Sequence, residues 1–303
     1  MQSLSRGISF NSRFNIQDSL YSEEVEKWKT LFIKSIEPIS DFPLLMSGGV
    51  DSAAILSVLL HLNKQPKLYT FTLGTELSND AKVSLDIAKT FNLDIELITI
   101  PKDSKTLISD INKLLSIFNK VSKTAIQCGH FLLYLAPVIK KDGYDKILGG
   151  TGGVVEDDRK VHVCLHTKGE DAAREYRKGG MTLRNNLHQG GVKGMHDVAE
   201  NFEIELLEPY KNKELSEYAL SLDMKVINYP VQKGIAVRAF PEFWNNGNWY
   251  RTNSPLQING GIRDWHHTLI DSNLNTGNWK SCIGVYNKMY KDIITPNLES
   301  FFT

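Results

Sequence analysis

The chain has 303 residues, enough for one large domain or two modest ones around a sizeable core. Lys and Arg number 35, as do Asp and Glu, so no net charge draws the chain to nucleic acid or to a membrane surface. An ordinary globular composition, 41% hydrophobic, holds no apolar run of membrane-spanning length, and Cys128, Cys164 and Cys282 are too scattered for a disulfide framework or a C-x-x-C zinc site.

Residues 1–24 read as an N-terminal extension. MQSLSRGISFNSRF has too short an apolar stretch for a secretory signal; two arginines and no acids give it a faint transit-peptide cast, and the expected location is cytoplasmic. From 24 to 40, Val25, Trp28, Leu31, Phe32 and Ile36 recur at helical spacing. A short strand, FPLLM, follows, then Ser-Gly-Gly-Val-Asp-Ser at 47–52 and a helix ending near Asn63. KLYTFTL (67–73) is β-rich and stops at Gly74, and Ser78 suits the cap of a helix over NDAKVSLDIAKTF. DIELITI (94–100) is a further strand; helices are expected at 103–118 and 130–141, and a strand at 145–150. This alternation predicts an α/β core over 25–153 built on a doubly wound parallel sheet.

Beyond Gly153 the pattern changes. Residues 154–197 mix charges with five glycines between 179 and 194, which predicts a surface excursion or mobile loop. NKELSEYALSLD reads as a helix, and 241–303 is rich in aromatic residues and asparagine. Residues 154–303 are thus expected to form a helical and irregular portion packed on the core. His162 and His166 are spaced as two metal ligands on a helix would be. VHVCLH alternates like a strand, however, so an ordinary surface or core pair is expected.

The hexapeptide carries the chemistry. Two glycines between a strand and a helix turn several backbone N–H groups toward one point, and the helix end adds partial positive charge, which suits a phosphate or pyrophosphate. Ser47 and Ser52 can donate hydroxyl bonds, and Asp51 can hold an accompanying Mg²⁺. In a parallel sheet this loop lies at the carboxyl edge, where ligands bind.

In that context Ser47–Ser52 resembles the PP-loop of the ATP pyrophosphatases, and the lysine-bearing G-x-x-x-x-G-K-[ST] loop is absent. Four further stretches, at 71–100, 131–153, 208–223 and 231–240, are similar in order to segments of asparagine synthetases. The resemblance implies ATP and Mg²⁺, with adenylation of a substrate oxygen and displacement of AMP by ammonia or an amine. It implies backbone contacts to adenosine at Met46 and Leu73, a pyrophosphate and metal loop of Ser47, Gly48, Gly49, Asp51 and Ser52, and closure over the nucleotide by Gly149 and Gly150. Lys233 corresponds to a lysine that stabilises charge during amide formation. The family's arginine position holds Val237, with Arg238 one residue on.

Three departures qualify this. The glutaminase domain of the synthetases does not fit before the loop, so nitrogen is expected from free ammonia, an amine substrate or an ammonia-supplying partner. Val154 and Val155 stand where two acids are expected, with Glu156 and Asp157 just after as displaced metal ligands. Asn212 and Leu207 replace an aspartate and an arginine on the substrate side. Two other readings follow. One is PP-loop modification of a nucleobase or nucleic acid, for which Arg174, Arg177, Lys178, Arg184 and Lys193 would track phosphates. The other is a nucleotide-binding protein without turnover.

Overall fold

The computed structural model describes residues 19–151, 153, 159–185, 190–250, 256–271 and 281–299. Five strands, β1 (Leu44–Leu45), β2 (Leu68–Leu73), β3 (Ile95–Ile100), β4 (Lys146–Leu148) and β5 (Glu205–Leu207), form one sheet in the order 3-2-1-4-5. Every pairing is parallel, with Leu44 opposite both Leu68 and Leu148. The doubly wound sheet expected from the sequence is present.

The pleat explains the two cores. Successive strand residues face opposite sides, so Leu44, Leu68 and Leu148 enter one core while Leu45, Tyr69 and Ile147 enter the other. The six residues of β2 are buried throughout, as a central strand covered on both faces must be. Helices α1 (Ser22–Ile36), α2 (Val50–His61) and α3 (Asn79–Thr90) cover the first face, α1 through Val25, Trp28, Phe32 and Ile36. The second is covered by α4 (Ser104–Phe118), α5 (Lys123–Gly129) and α6 (Leu132–Lys141). Ser78 caps α3 as expected, accepting from the Ala81 N–H at 3.1 Å. Asp103 does the same for α4 from Thr106 at 2.9 Å.

The stretch after Gly153 corrects the sequence reading. Its described residues fold as helices α7 (Arg159–Lys168), α8 (Glu170–Asn185) and α9 (Gly190–Asn201) rather than as a loop. VHVCLH lies within α7, not in a strand. Two of the glycines serve packing: a Cβ at Gly194 would come within 2.5 Å of the Ala125 carbonyl, and one at Gly191 within 2.4 Å of Cys128 Sγ. Helices α5 and α9 touch backbone to backbone there.

Helix α10 (Lys213–Ser221), the short α11 (Met224–Ile227), α12 (Gly234–Ala239) and α13 (Pro241–Trp244) return the chain to the first face. Then α14 (Leu256–Asn259), α15 (Ile262–Asp271) and α16 (Cys282–Glu299) follow, the last two joining the second core through Ile262, Trp265, Leu269, Val285 and Tyr286. Among the described residues no helix is long and apolar enough to cross a membrane.

Candidate functional site

The strand order reverses direction at β1, whose neighbours are β2 and β4. At such a switch point the loops leaving two adjacent strands diverge to opposite faces and leave a crevice at their carboxyl ends. The loops concerned here are 47–49 after β1 and 149–153 after β4.

Gly48 has φ +65°, a left-handed turn that glycine adopts without penalty, and Gly49 is extended at the N-cap of α2. The serines close this loop on itself. Ser52 Oγ accepts from the Ser47 N–H at 3.2 Å and lies 3.0 Å from Ser47 Oγ, while donating to the Gly49 carbonyl at 3.2 Å. Their hydroxyls therefore hold the turn in shape.

Across the crevice, a Cβ at Gly150 would sit 2.9 Å from the Ser52 nitrogen, and one at Gly153 would sit 3.2 Å from Asp51 Oδ1. The second loop thus lies directly on the first, which only a residue without a side chain allows. Gly149 has another cause: its missing Cβ makes room for Leu206 Cδ1 of β5, at 2.8 Å.

Lys233 reaches the same point from a distant part of the chain. Its Nζ donates to both carboxylate oxygens of Asp51, at 2.6 and 2.8 Å. The lysine is only 3% exposed, so its charge is held in a nearly dry setting by that carboxylate. A tight turn delivers it. Lys233 has φ +56°, its N–H donates to Asn228 Oδ1 at 2.7 Å, and a Cβ on Gly234 would collide with the Tyr229 carbonyl at 2.1 Å.

The remaining expected positions are placed as follows. The Met46 N–H bonds to the Tyr69 carbonyl at 2.8 Å and its own carbonyl accepts from Ser84 Oγ at 3.1 Å, which leaves one lone pair of that oxygen for a ligand. Leu73 ends β2 at the same edge of the sheet, opposite Ile100. Glu156 and Asp157, like Val154 and Val155, lie outside the described residues. Asn212 caps α10, its Oδ1 accepting from the Leu215 N–H at 3.2 Å, and Leu207 pairs with Leu148 in the sheet. Arg238 lies against the Tyr229 ring and donates to the Leu20 carbonyl.

The basic residues considered for phosphate tracking are engaged within the chain. Arg174 pairs with Asp223 at 2.8 Å and Lys193 with Asp197. Arg177 is fully buried and donates to the Leu222 and Ala219 carbonyls at 2.9 and 2.6 Å, closing the end of α10. Lys178 lies 4.0 Å from Glu175, and the Arg184 side chain is outside the described residues. His162 and His166 stand one turn apart on α7, and among the described residues no group of three or more His, Cys, Asp or Glu side chains is placed to hold a metal.

Sequence reasoning missed a second polar cluster beside the loops. Glu208, which leaves β5 at the carboxyl edge, is buried and accepts from Thr151 Oγ1, from His196 Nε2 at 2.6 Å and from Lys211 Nζ. Burial by itself would raise its carboxyl, but the bonds from His196, Lys211 and Thr151 outweigh it and the net shift is downward. Tyr210 donates to the Asp51 carbonyl at 2.9 Å and stacks on Phe32. Burial, then the Asp51 charge, pushes its phenol well up, so it stays a donor. The available signal was the alternation of FEIELLEP, a short strand ending on an acid where a sheet exposes ligand-binding groups.

Residues 40–153 match the family model described as asparagine synthase. This segment is similar to asparagine synthase domains. The match spans β1 to β4 and ends on the glycine that faces Asp51, whereas Lys233, Glu208 and Tyr210 lie beyond it. Asparagine synthases are ATP-using ligases of the amidotransferase type, and it is to this class that the segment is similar. No curated protein matches the chain.

Proposed function

We propose that the chain is an AMP-forming, ATP-dependent carbon–nitrogen ligase that activates a substrate oxygen, of a carboxylate or an amide, and couples it to ammonia or an amine. The observation that carries this reading is the convergence of the glycine loop at 47–49, the bare edge at Gly150 and Gly153, and the Asp51–Lys233 pair on one crevice of a segment similar to asparagine synthase domains.

The residues present fit a magnesium nucleotide. Asp51 stands in the first turn of α2, partly exposed, with no side chain on the two glycines beside it. Asp51, with Glu156 and Asp157 as displaced partners, would hold Mg²⁺, which commonly takes only one or two protein carboxylates. The ion supplies charge neutralisation on the departing pyrophosphate.

The rest belongs to the chain. The left-handed turn at Gly48 and the N-terminus of α2 bind the phosphates through backbone donors and the partial charge of the helix end. Met46 and Leu73 offer backbone contacts to adenosine, and Gly149 with Gly150 lets the second loop lie close. Lys233, which pairs with both Asp51 oxygens, brings its ammonium beside the place where negative charge develops as the bond to nitrogen forms. Substitution of Asn212 and Leu207 at the family's substrate positions points away from aspartate as the substrate.

Phosphorus NMR of ATP incubated with the protein, carboxylate and amine pools, and ammonium tests this. AMP with pyrophosphate is the expected product pair, lowered about a hundredfold or more in Asp51→Asn. Formation of ADP and phosphate would overturn the reading.

A further inference from the structure

On the second face of the sheet, remote in sequence from the loop residues, four buried polar groups and the half-buried Tyr134 run in a line. Tyr134 donates to Asp110 Oδ2 at 2.6 Å, His130 Nε2 lies 3.0 Å from the same oxygen, His130 Nδ1 lies 2.6 Å from His266 Nε2, and His266 Nδ1 lies 2.6 Å from the Tyr286 hydroxyl. His130, His266 and Tyr286 have no exposed surface and Asp110 is 2% exposed. Polar groups so deeply buried are costly unless every donor meets an acceptor.

The proton count of this line is constrained. The Asp110 carboxylate only accepts, so His130 donates from Nε2. A neutral His130 then accepts at Nδ1 from His266 Nε2, and His266 accepts at Nδ1 from Tyr286. One proton on each imidazole satisfies every link. One further proton can also be housed. His130 becomes an imidazolium beside Asp110, the His266 tautomer reverses, and the Tyr286 hydroxyl accepts from His266 and turns its own proton to Cys282. A second extra proton cannot be housed, because it would set two N–H groups against each other across 2.6 Å.

The line joins elements that also meet in the second core. Asp110 is on α4, His130 and Tyr134 are at and within the α5–α6 corner, His266 is on α15 and Tyr286 on α16. Trp265 stacks on His130, centroids 5.1 Å apart, and Cys282 Sγ donates to the His266 carbonyl at 3.3 Å. Helix α15 starts at Gly261, whose Cβ position is 3.7 Å from Leu73 Cδ2, at the end of β2. The start of α15 therefore lies against the carboxyl edge of the sheet.

We propose that the Asp110–His130–His266–Tyr286 line is a one-proton clasp, which fastens α15 and α16 to the core beside Leu73 and releases them when both histidines become charged. The other groups facing it do not offset a second charge. Lys113 stands 3.9 Å from Asp110 Oδ1, and Lys123 and His267 add positive charge from α5 and α15. Tyr134 and Tyr286 remain protonated, burial pushing both phenols up, and burial likewise raises the Cys282 thiol. Burial first, then the charges of His130 and His267, pushes the His266 imidazole well below its usual range. An unfolded or undocked His266 takes up a proton below about pH 6.5 while the docked one resists, so acid withdraws stability from the docked arrangement. The clasp does not depend on what the glycine loop binds.

Hydrogen exchange of the full chain, corrected for the intrinsic pH dependence, tests it. Peptides from 256–271 and 281–299 should lose protection together as the pH falls from 8 to 5, while those of β2 and α2 keep theirs. His266→Gln, whose amide supplies one donor and one acceptor and does not titrate, should remain protected throughout. In parallel, nitrogen-15 imidazole NMR of the unaltered protein should show the docked pair taking up no more than one proton beyond the one that each ring carries. Unchanged protection of both helices down to pH 5, the same transition in His266→Gln, or two independent protonations without loss of protection would each overturn the proposal.

Discussion

At Gly150 the missing side chain lets one loop lie on the Ser52 nitrogen of another, whereas at Gly194 it lets one helix lie on the Ala125 backbone of another. The first contact shapes a crevice open to a ligand, and the second fills a core. Both occur in glycine-rich stretches that look alike in composition. Glycine therefore marks a close approach, and only the partner of that approach says whether it serves binding or packing.

The contrast yields predictions of graded size. Gly194→Leu should be the most damaging, because the α5–α9 contact has no room and neither backbone can yield. A loss of more than about 3 kcal/mol in denaturant unfolding is expected, and a smaller loss would mean that α9 is free to move away. Gly150→Ala should behave in the opposite sense. A Cβ there meets the Ser52 backbone nitrogen, so the loops must part at a stability cost of about 1–3 kcal/mol, but titration calorimetry should show MgATP binding weakened by about tenfold or more, because the anion seat is distorted. If stability falls and nucleotide affinity does not, Gly150 belongs with Gly194. The smallest effect is expected at Asn212, whose side chain caps α10. Asn212→Ala should cost about 1 kcal/mol, while Asn212→Asp should stay within about 0.5 kcal/mol of the original. A stability loss in the aspartate variant as large as in the alanine one would show that the amide does more than cap.

Much of the candidate site was legible because its parts are local. Ser47–Ser52 carries its own turn, its own helix start and its own acid, and Gly149–Gly150 follows a strand that the apolar run KIL announces. Glu208 and Tyr210 were not legible. An acid before a proline reads as an ordinary turn until β5 joins the sheet at its edge and turns the residues after it toward Asp51. The basic residues of 174–193 show a related limit. A basic residue looks the same in sequence whether it faces solvent or, like Arg177, caps a buried helix end.

By itself the sequence determined the elements whose signals lie within a few residues: the buried run of β2, the capped starts at Ser78 and Asp103, the apolar face of α1, and the glycine loop at the end of β1. Period and capping act over a turn or two of chain, so they can be read in one dimension. Only the tertiary structure decided that Lys233 meets Asp51 across 182 positions, that Arg159–Lys168, Glu170–Asn185 and Gly190–Asn201 are helical, and that His130 and His266 share a hydrogen bond across 136. Those outcomes depend on which surfaces remain to be buried once the sheet has formed. A charge, a glycine or an imidazole acquires its role from the partner that packing brings to it.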